Sequence, residues 1–550
     1  MKPIGIVLTE ASTQNAKCQL YEHAEQGKVR EGMFLLVHTT GNRQILTRVS
    51  RIIPQNEFYV AGDAWTEARR KQQEIPSDLA RRYEICELEL LREVPGMKEI
   101  TIPPFPGDEI FEIKVPEDLD LIFDIKNKEG IIWYGSLLGY SNAPIPLTIE
   151  AIPMHFAVFG VTGSGKSYDV GALIEELVKI PAGENTILAI PMVIIDANAD
   201  YIDYHDYFKD KGNLGACPSV TRYVFPSSPV MKLYQSYVSP IALNLNNLSL
   251  RDLAELIVTY YSGGAKNELQ IAGIETLIDA MISRGDILEG DFQSIFTSSE
   301  TFQRAKSRLS DLTRRNTPIH SQTAAAIQRG LNKFLEIEKQ HGLLSAKPPI
   351  ENKFIDDLTQ NRGIAIIDFS ADGAPGIPLS IKQLVISYLS SILFQRFTFY
   401  KIGGEERYLL FLIEEAQNYC PNLSRYDVGY SLAREKLSMI ATQGRKFGLS
   451  LGLISQRPSF INRVVLSMCN TFFIHRIAPQ DISYVNLACG GLPSSIERRL
   501  TRLELGEVIV TGQMNKVPFH MVIKIAKREM VPHHTAGETD VLGALKGLAK

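Results

Sequence analysis

Short apolar runs, broken every ten or so residues by Gly, Asn or Pro, occupy residues 4–8, 32–38, 44–49, 58–60 and 84–89. That rhythm predicts a β-rich unit over residues 1–115, a small barrel or sandwich rather than a parallel sheet. The stretch 102–107, Ile-Pro-Pro-Phe-Pro-Gly, reads as a rigid exit from it. Residues 116–152 read as a linker with a strand or two, one of them at 131–135. From residue 156 the pattern changes. Continuous apolar runs at 156–159, 192–195, 363–368, 409–413, 449–455 and 471–474 alternate with helical periodicity, and most end in a polar or turn residue. Runs of this kind predict a parallel sheet covered on both faces. Between residue 249 and about 345 the strand signal gives way to helical periodicity, which predicts an all-helical insertion within an α/β unit spanning 153–525. Residues 526–550 are polar and Gly-containing, and read as a tail.

Composition bounds the class. At roughly 150 residues per domain, a chain of 550 residues makes three or four units. Hydrophobic residues at 45% and charged residues at 22% are ordinary for a globular protein, which excludes disordered, collagenous and coiled-coil readings. The balance of 58 Lys+Arg against 62 Asp+Glu gives −4, so there is no global nucleic-acid footprint; a ring with a basic lumen can still be neutral overall. Cys18, Cys86, Cys217, Cys420, Cys469 and Cys489 are too scattered for any CxxC or zinc spacing and read as buried thiols in a reducing compartment. The adjacent His533 and His534 read as solvated loop. The N-terminus lacks a signal-peptide pattern and no apolar run reaches the ~18–20 residues of a membrane helix, so the expectation is a soluble, cytoplasmic protein with no membrane contact.

The chemistry is concentrated in one motif. Gly160, Val161, Thr162, Gly163, Ser164, Gly165, Lys166 and Ser167 spell GxxxxGK[ST], directly after the apolar run 156–159 and before a helical pattern. That is the strand–loop–helix context of a P-loop. Its glycines let backbone N–H groups fold around a phosphate and the helix N-terminus adds positive potential. Lys166 reaches the β/γ-phosphates and the Ser167 hydroxyl holds Mg²⁺. The chain is therefore expected to bind a nucleoside triphosphate.

A second run, 409–413, ends in Glu414 and Glu415. Glu414 stands where a Mg²⁺-associated acid belongs, and Glu415 where a base polarises the attacking water. Guanine-reading NKxD is absent, so ATP is the expected nucleotide. Lys166 and Glu415 are 249 residues apart, an excess that the helical insertion accounts for. Two further acids, Asp196 and Asp368, end strands and face a choice between the nucleotide edge and a plain turn or cap role. Gln456 sits at the tip of the strand after the Walker B, a γ-phosphate sensor position, and Arg445 precedes that strand as either a surface arginine or a finger given to a neighbour's ATP. Tyr261-Ser-Gly-Gly264 is only superficially like a transporter signature and reads as a turn. The basic stretch 301–345, with eight Lys/Arg against three Asp/Glu, reads as a solvated helical face in preference to a nucleic-acid contact.

The order barrel, GVTGSGKS, DANADY, helical insertion, IIDFS, LFLIEEAQ, GRKFG, SQRPS resembles the HerA family of the HerA–FtsK superfamily over residues 1–525. GRKFG followed closely by SQRPS is the specific part, and the segment PPFPGDEI at 103–110 is similar to the end of the family's HAS-barrel. The resemblance implies an α/β fold with a RecA-like P-loop core, a helical insertion and a preceding small β-barrel. It implies an ATP hydrolase, a DNA-stimulated translocase or helicase using ATP and Mg²⁺, assembled as a homohexameric ring on double-stranded DNA. It implies a partner nuclease of the NurA kind in DNA end processing, or, in an antiphage branch, a nuclease or sirtuin-like NADase effector that the ring holds and regulates. Carried onto this chain, Lys166, Glu415, Asp196, Arg445 and Gln456 match the catalytic set, with Ser167 and Glu414 at the metal. Two departures stand out: Glu414-Glu-Ala-Gln417 where the family often writes DEAH, and Ala199-Asp-Tyr201 where it writes GEY.

Overall fold

The computed structural model describes residues 2–531, except 26, 63–64, 74–81, 114–122, 124, 126–127, 141–142, 235, 264–265, 315–318, 427–430 and 432. Six strands, Gly5–Val7, Asn15–Leu20, Phe34–His38, Gln44–Gln55, Tyr83–Val94 and Glu109–Glu112, close into a barrel. Closure comes from the last strand, which pairs antiparallel with both Gly5–Val7 and Phe34–His38 and so leaves no free edge. Residues 102–107 are therefore not the exit. They lead into Glu109–Glu112, with Gly107 in the left-handed region (φ 95°) where the chain turns back. The stretch 58–60 is also not a strand: Glu57–Tyr59 is a 3-10 turn started by the Asn56 side chain, which accepts from the Phe58 amide, and Tyr59 and Val60 face solvent. Asn15–Leu20 was missed as a strand because only alternate positions are apolar; Ala16, Cys18 and Leu20 point into the barrel and the others point out.

The second unit is an eleven-stranded sheet among the described residues. In spatial order its strands are Val238–Pro240, Val220–Val224, Ile364–Asp368, Met192–Asp196, Leu409–Ile413, Leu449–Ser455, Phe156–Phe159, Thr471–Ile474, Glu507–Gly512, Met521–Lys524 and Ser136–Leu137. The first eight run parallel and the last three turn antiparallel. Each central strand is buried along its length, and alternate side chains feed two cores. Phe159, Ile195, Ile367 and Phe411 face the helical insertion and the long helix Leu379–Ile402. Phe156, Ile194, Ile366 and Leu410 face the P-loop helix Lys166–Leu177.

The insertion consists of helices Leu250–Ser262, Glu268–Ser283, Ser294–Thr297, Ser299–Arg314 and Ser321–His341. Ser249 caps the first: its hydroxyl accepts from the Asp252 amide and donates to the Asp252 carboxylate. Gly263 ends that helix with φ 67°; Gly264, the last residue of the transporter-like tetrapeptide, lies outside the described residues. The basic half of the insertion satisfies much of its charge locally. Arg308 pairs with Asp286, Arg304 with Glu300, and Lys306 and Lys333 lie over the rings of Phe302 and Tyr260.

Two segments depart from the sequence expectation. Residues 116–152 contain an antiparallel hairpin, Ile131–Tyr134 with Ile145–Thr148, whose Ile132, Tyr134, Ile145 and Leu147 are buried in the core beneath the P-loop helix. An apolar hairpin at the face of a sheet is drawn into the core rather than left as a tether. The tail begins with a buried stretch as well, since Arg528 and Val531 are both inside; residues 532–550, with His533 and His534, lie outside the described residues. No described helix is long and apolar enough to cross a membrane.

Candidate nucleotide site

The strand Phe156–Phe159 lies between Leu449–Ser455 and Thr471–Ile474, and its carboxyl end opens into the P-loop. Gly163 and Gly165 take φ of 73° and 98°, conformations that side chains resist. Gly160 is required by space instead: a Cβ there would lie 2.4 Å from Ser164 Oγ and 2.7 Å from His475 Cβ. The loop wraps tightly enough that the Ser164 hydroxyl is buried without a hydrogen-bond partner. Behind it, Asp169 in the first turn of the P-loop helix holds His475 Nε2 at 2.8 Å and accepts from Tyr134 Oη. This buried triad ties the helix to the neighbouring strand and to the hairpin.

Lys166 is 8% exposed and makes one long hydrogen bond, to the Val161 carbonyl at 3.4 Å. Burial pulls its ammonium below the usual lysine range, while Glu415, Glu414 and Asp200 push it back up. It is a buried cation within electrostatic reach of three carboxyls. The residues of the motif, Gly160 to Ser167, thus sit together at one helix N-terminus, the geometry that receives an anion.

Two strands away, Leu409–Ile413 delivers Glu414 and Glu415. Glu414 is buried, accepts from the Ala197 amide at 2.8 Å, and is hydrogen-bonded to the Asp200 carboxyl. Burial, then the charges of Asp196 and Asp200, hold its carboxyl well above the usual range. The Glu414 and Asp200 carboxyls and the Ser167 hydroxyl are oxygen donors of the kind that would suit a hard divalent cation. Among the described residues no group of three or more His, Cys, Asp or Glu forms a ready-made metal cage. Mg²⁺ held by one or two protein oxygens plus phosphates needs none.

Glu415 takes a left-handed backbone (φ 50°, ψ 43°), a strain of about 1–3 kcal/mol for a residue with a Cβ. The turn aims its carboxylate at two amides. Gln456 Nε2 donates to Oε1 at 2.7 Å and Gln417 Nε2 donates to Oε2. Thr162 Oγ1 in the P-loop donates to Gln456 Oε1 at 2.6 Å, so Thr162, Gln456 and Glu415 form a continuous chain from the phosphate cradle to the acid. Ser455 Oγ donates to Gln417 Oε1 at 2.7 Å and fixes that amide in turn. Gln417 was not singled out as a site residue from sequence; the signal was its place two residues after Glu415.

Asp196 and Asp368 are buried at the same sheet edge and serve the backbone. Asp196 Oδ1 accepts from the amides of Asn198 and Asp200, and Oδ2 from Tyr201. Burial and the charge of Asp368 push its carboxyl up to about 7 against the pull of those amides. It shapes the loop that carries Asp200 to Glu414, and so enters the site through its neighbour. Asp368 is bound by Arg222 through Nε at 2.9 Å and Nη2 at 2.6 Å, a buried pair that closes the far strands.

Arg445 is in a different place. It is exposed on the 3-10 turn Gly444–Phe447, at the amino end of Leu449–Ser455. That strand runs parallel to Phe156–Phe159, so its seven residues, at about 3.3 Å each, separate Arg445 from its own P-loop by roughly 20 Å. The neighbouring His155 is buried, held down to about 4 by desolvation, and spans the Ala441 carbonyl and the Leu451 amide, which fixes the turn's position against the sheet.

A family model described as "Helicase HerA, central domain" matches residues 132–393. A probable helicase of Methanocaldococcus jannaschii is 26% identical over 542 residues, 92% of each chain. The DNA double-strand break repair helicase HerA of Sulfolobus acidocaldarius is 24% identical over 547 residues, covering 96% of this chain and 93% of the relative. Among solved structures, VirB4 of Thermoanaerobacter pseudethanolicus aligns over 74% of this chain and 98% of its own with TM-score 0.48 and 12% identity. The plasmid coupling protein TrwB in complex with ADP and Mg²⁺ aligns over 77% and 95% with TM-score 0.49 and 13% identity. With a P-loop, a paired-acid strand and similarity to HerA helicases along most of its length, the chain is an ATP-hydrolysing enzyme of the HerA kind.

Proposed function

We propose that this chain is an ATP-driven translocase of double-stranded DNA that works as a ring of six identical subunits. The observation that carries the ring is Arg445: exposed, and a strand's length from its own phosphate cradle, it can reach only a nucleotide bound by another molecule. The DNA substrate is supported by relatives named as DNA double-strand break repair helicases. In this reading the P-loop amides and Lys166 hold the ATP phosphates, and Ser167 and Glu414 hold Mg²⁺ with Asp200 alongside. The ion, when bound, neutralises the β- and γ-oxygens. Glu415 orients the attacking water, and Gln456 reports the state of the cradle to Glu415 through Thr162. Asp196 acts by shaping the Asp200 loop. The partner is a nuclease of the NurA kind, in DNA end processing or in antiphage defence.

Linear duplex DNA is expected to raise ATP turnover of the purified protein at least several-fold, with Lys166→Ala as the blank. Turnover indifferent to duplex would instead favour a nucleotide-gated scaffold that holds and controls a nuclease or a sirtuin-like NADase.

A further inference from the structure

We propose that residues 526–531 form a latch on the back of the nucleotide site, and that Arg528 is a positioning residue for ATP hydrolysis. After the strand Met521–Lys524 the chain crosses the outer side of the P-loop helix and inserts Arg528, 6% exposed, between that helix and the helix Ile202–Lys211. Its Nε donates to Glu175 Oε1 at 3.2 Å and its Nη2 to Asp203 Oδ2 at 2.9 Å, while the guanidinium lies 4.7 Å over the Tyr204 ring. The latch backbone is held too. The Arg528 amide donates to Tyr168 Oη at 2.8 Å, and the amides of Glu529 and Met530 donate to Glu175 Oε2 at 2.9 and 3.3 Å.

These partners matter because of what they adjoin. Tyr168 follows Ser167, and Glu175 lies on the same helix as Lys166. Asp203 comes three residues after Asp200, whose carboxyl meets Glu414. One guanidinium therefore ties the element that carries the phosphate cradle to the element that delivers the third acid of the site. The P-loop helix is adapted to it. Gly171 is an interior helical glycine, normally unfavourable. A Cβ there would lie 2.9 Å from Arg528 Cζ and 3.0 Å from Tyr204 Oη, and Tyr204 Oη also donates to the Gly171 carbonyl at 2.6 Å. Hydrolysis depends on sub-ångström placement of the cradle against the acids, whereas nucleotide affinity rests mainly on the cradle itself. The latch therefore acts on turnover more than on binding.

The test uses the full-length protein and steady-state ATP turnover; wild-type turnover in the same assay separates a failed latch from a failed ATPase. Gly171→Ala, which pushes the guanidinium out of its slot, is expected to lower kcat about tenfold with KM for ATP changed less than about threefold. Arg528→Ala is expected to do the same, and millimolar guanidinium is expected to restore most of its turnover by refilling the slot. In the Arg528→Ala background the added methyl no longer meets the guanidinium and has only the Tyr204 hydroxyl beside it, at 3.0 Å, so Gly171→Ala should lower kcat less than about threefold there. A Gly171→Ala protein with wild-type kcat would overturn the proposal. So would losses that multiply in the double variant, or a loss confined to KM.

Discussion

Glu415→Gln is expected to stop ATP turnover while leaving ATP bound. The substitution keeps the shape of the side chain and its left-handed turn, but replaces an anionic acceptor by an amide. Gln456 and Gln417 both aim N–H donors at the present carboxylate, so one of them loses its acceptor. The group proposed to orient the attacking water is lost as well. Positioned acid–base groups contribute about 10²–10⁴ in rate, so kcat is expected to fall about a thousandfold. Lys166, the P-loop amides and Ser167 are untouched, so the dissociation constant of a fluorescent ATP analogue should stay within about threefold. Phosphate release and equilibrium binding measured on the same preparation check this. A variant retaining a tenth of wild-type kcat would remove Glu415 from the reaction.

Arg445→Ala is the second large effect, and its signature is complementation. The side chain is exposed and makes no ion pair among those described, so its removal should leave the thermal midpoint nearly unchanged. An arginine given across an interface is worth about 10³–10⁵ in turnover. Turnover of the variant alone should therefore fall at least a thousandfold. Lys166→Ala should be equally dead, for lack of a cradle. Co-assembled, the two restore one another in part: a Lys166→Ala subunit still presents Arg445 to the intact P-loop of its Arg445→Ala neighbour. A mixture as inactive as its parts would contradict an arginine supplied in trans.

How much of this was readable in advance depends on how far apart the cooperating residues are. The central strands were legible because each is a continuous apolar run, and the P-loop because its whole chemistry lies within eight consecutive residues. Strands such as Asn15–Leu20, Glu109–Glu112 and Val220–Val224 were missed because they face the core with every second residue, or with two residues only, and carry polar ones between. The hairpin Ile131–Tyr134 looked like linker because its partner strand follows an irregular stretch, and the core it fills is built by residues far along the chain. In the site, Lys166, Ser167, Glu414, Glu415 and Gln456 all come to one edge of the sheet, as strand-tip positions should. Asp196 was the ambiguous one. Strand-end acids look alike in sequence whether they face a ligand or collect backbone amides, and only the fold shows three amides on this carboxylate. Arg528 was invisible for another reason. Its partners Glu175 and Asp203 lie 353 and 325 residues away, and a buried arginine in a polar terminal stretch has no local signature.

The most direct measurement is displacement of a triplex-forming third strand from a linear duplex, followed by fluorescence as ATP is added. Movement along the duplex predicts displacement that requires ATP, scales with distance to the triplex, and vanishes in Lys166→Ala and Glu415→Gln. ATP turnover stimulated by the same duplex with the third strand left in place would contradict translocation.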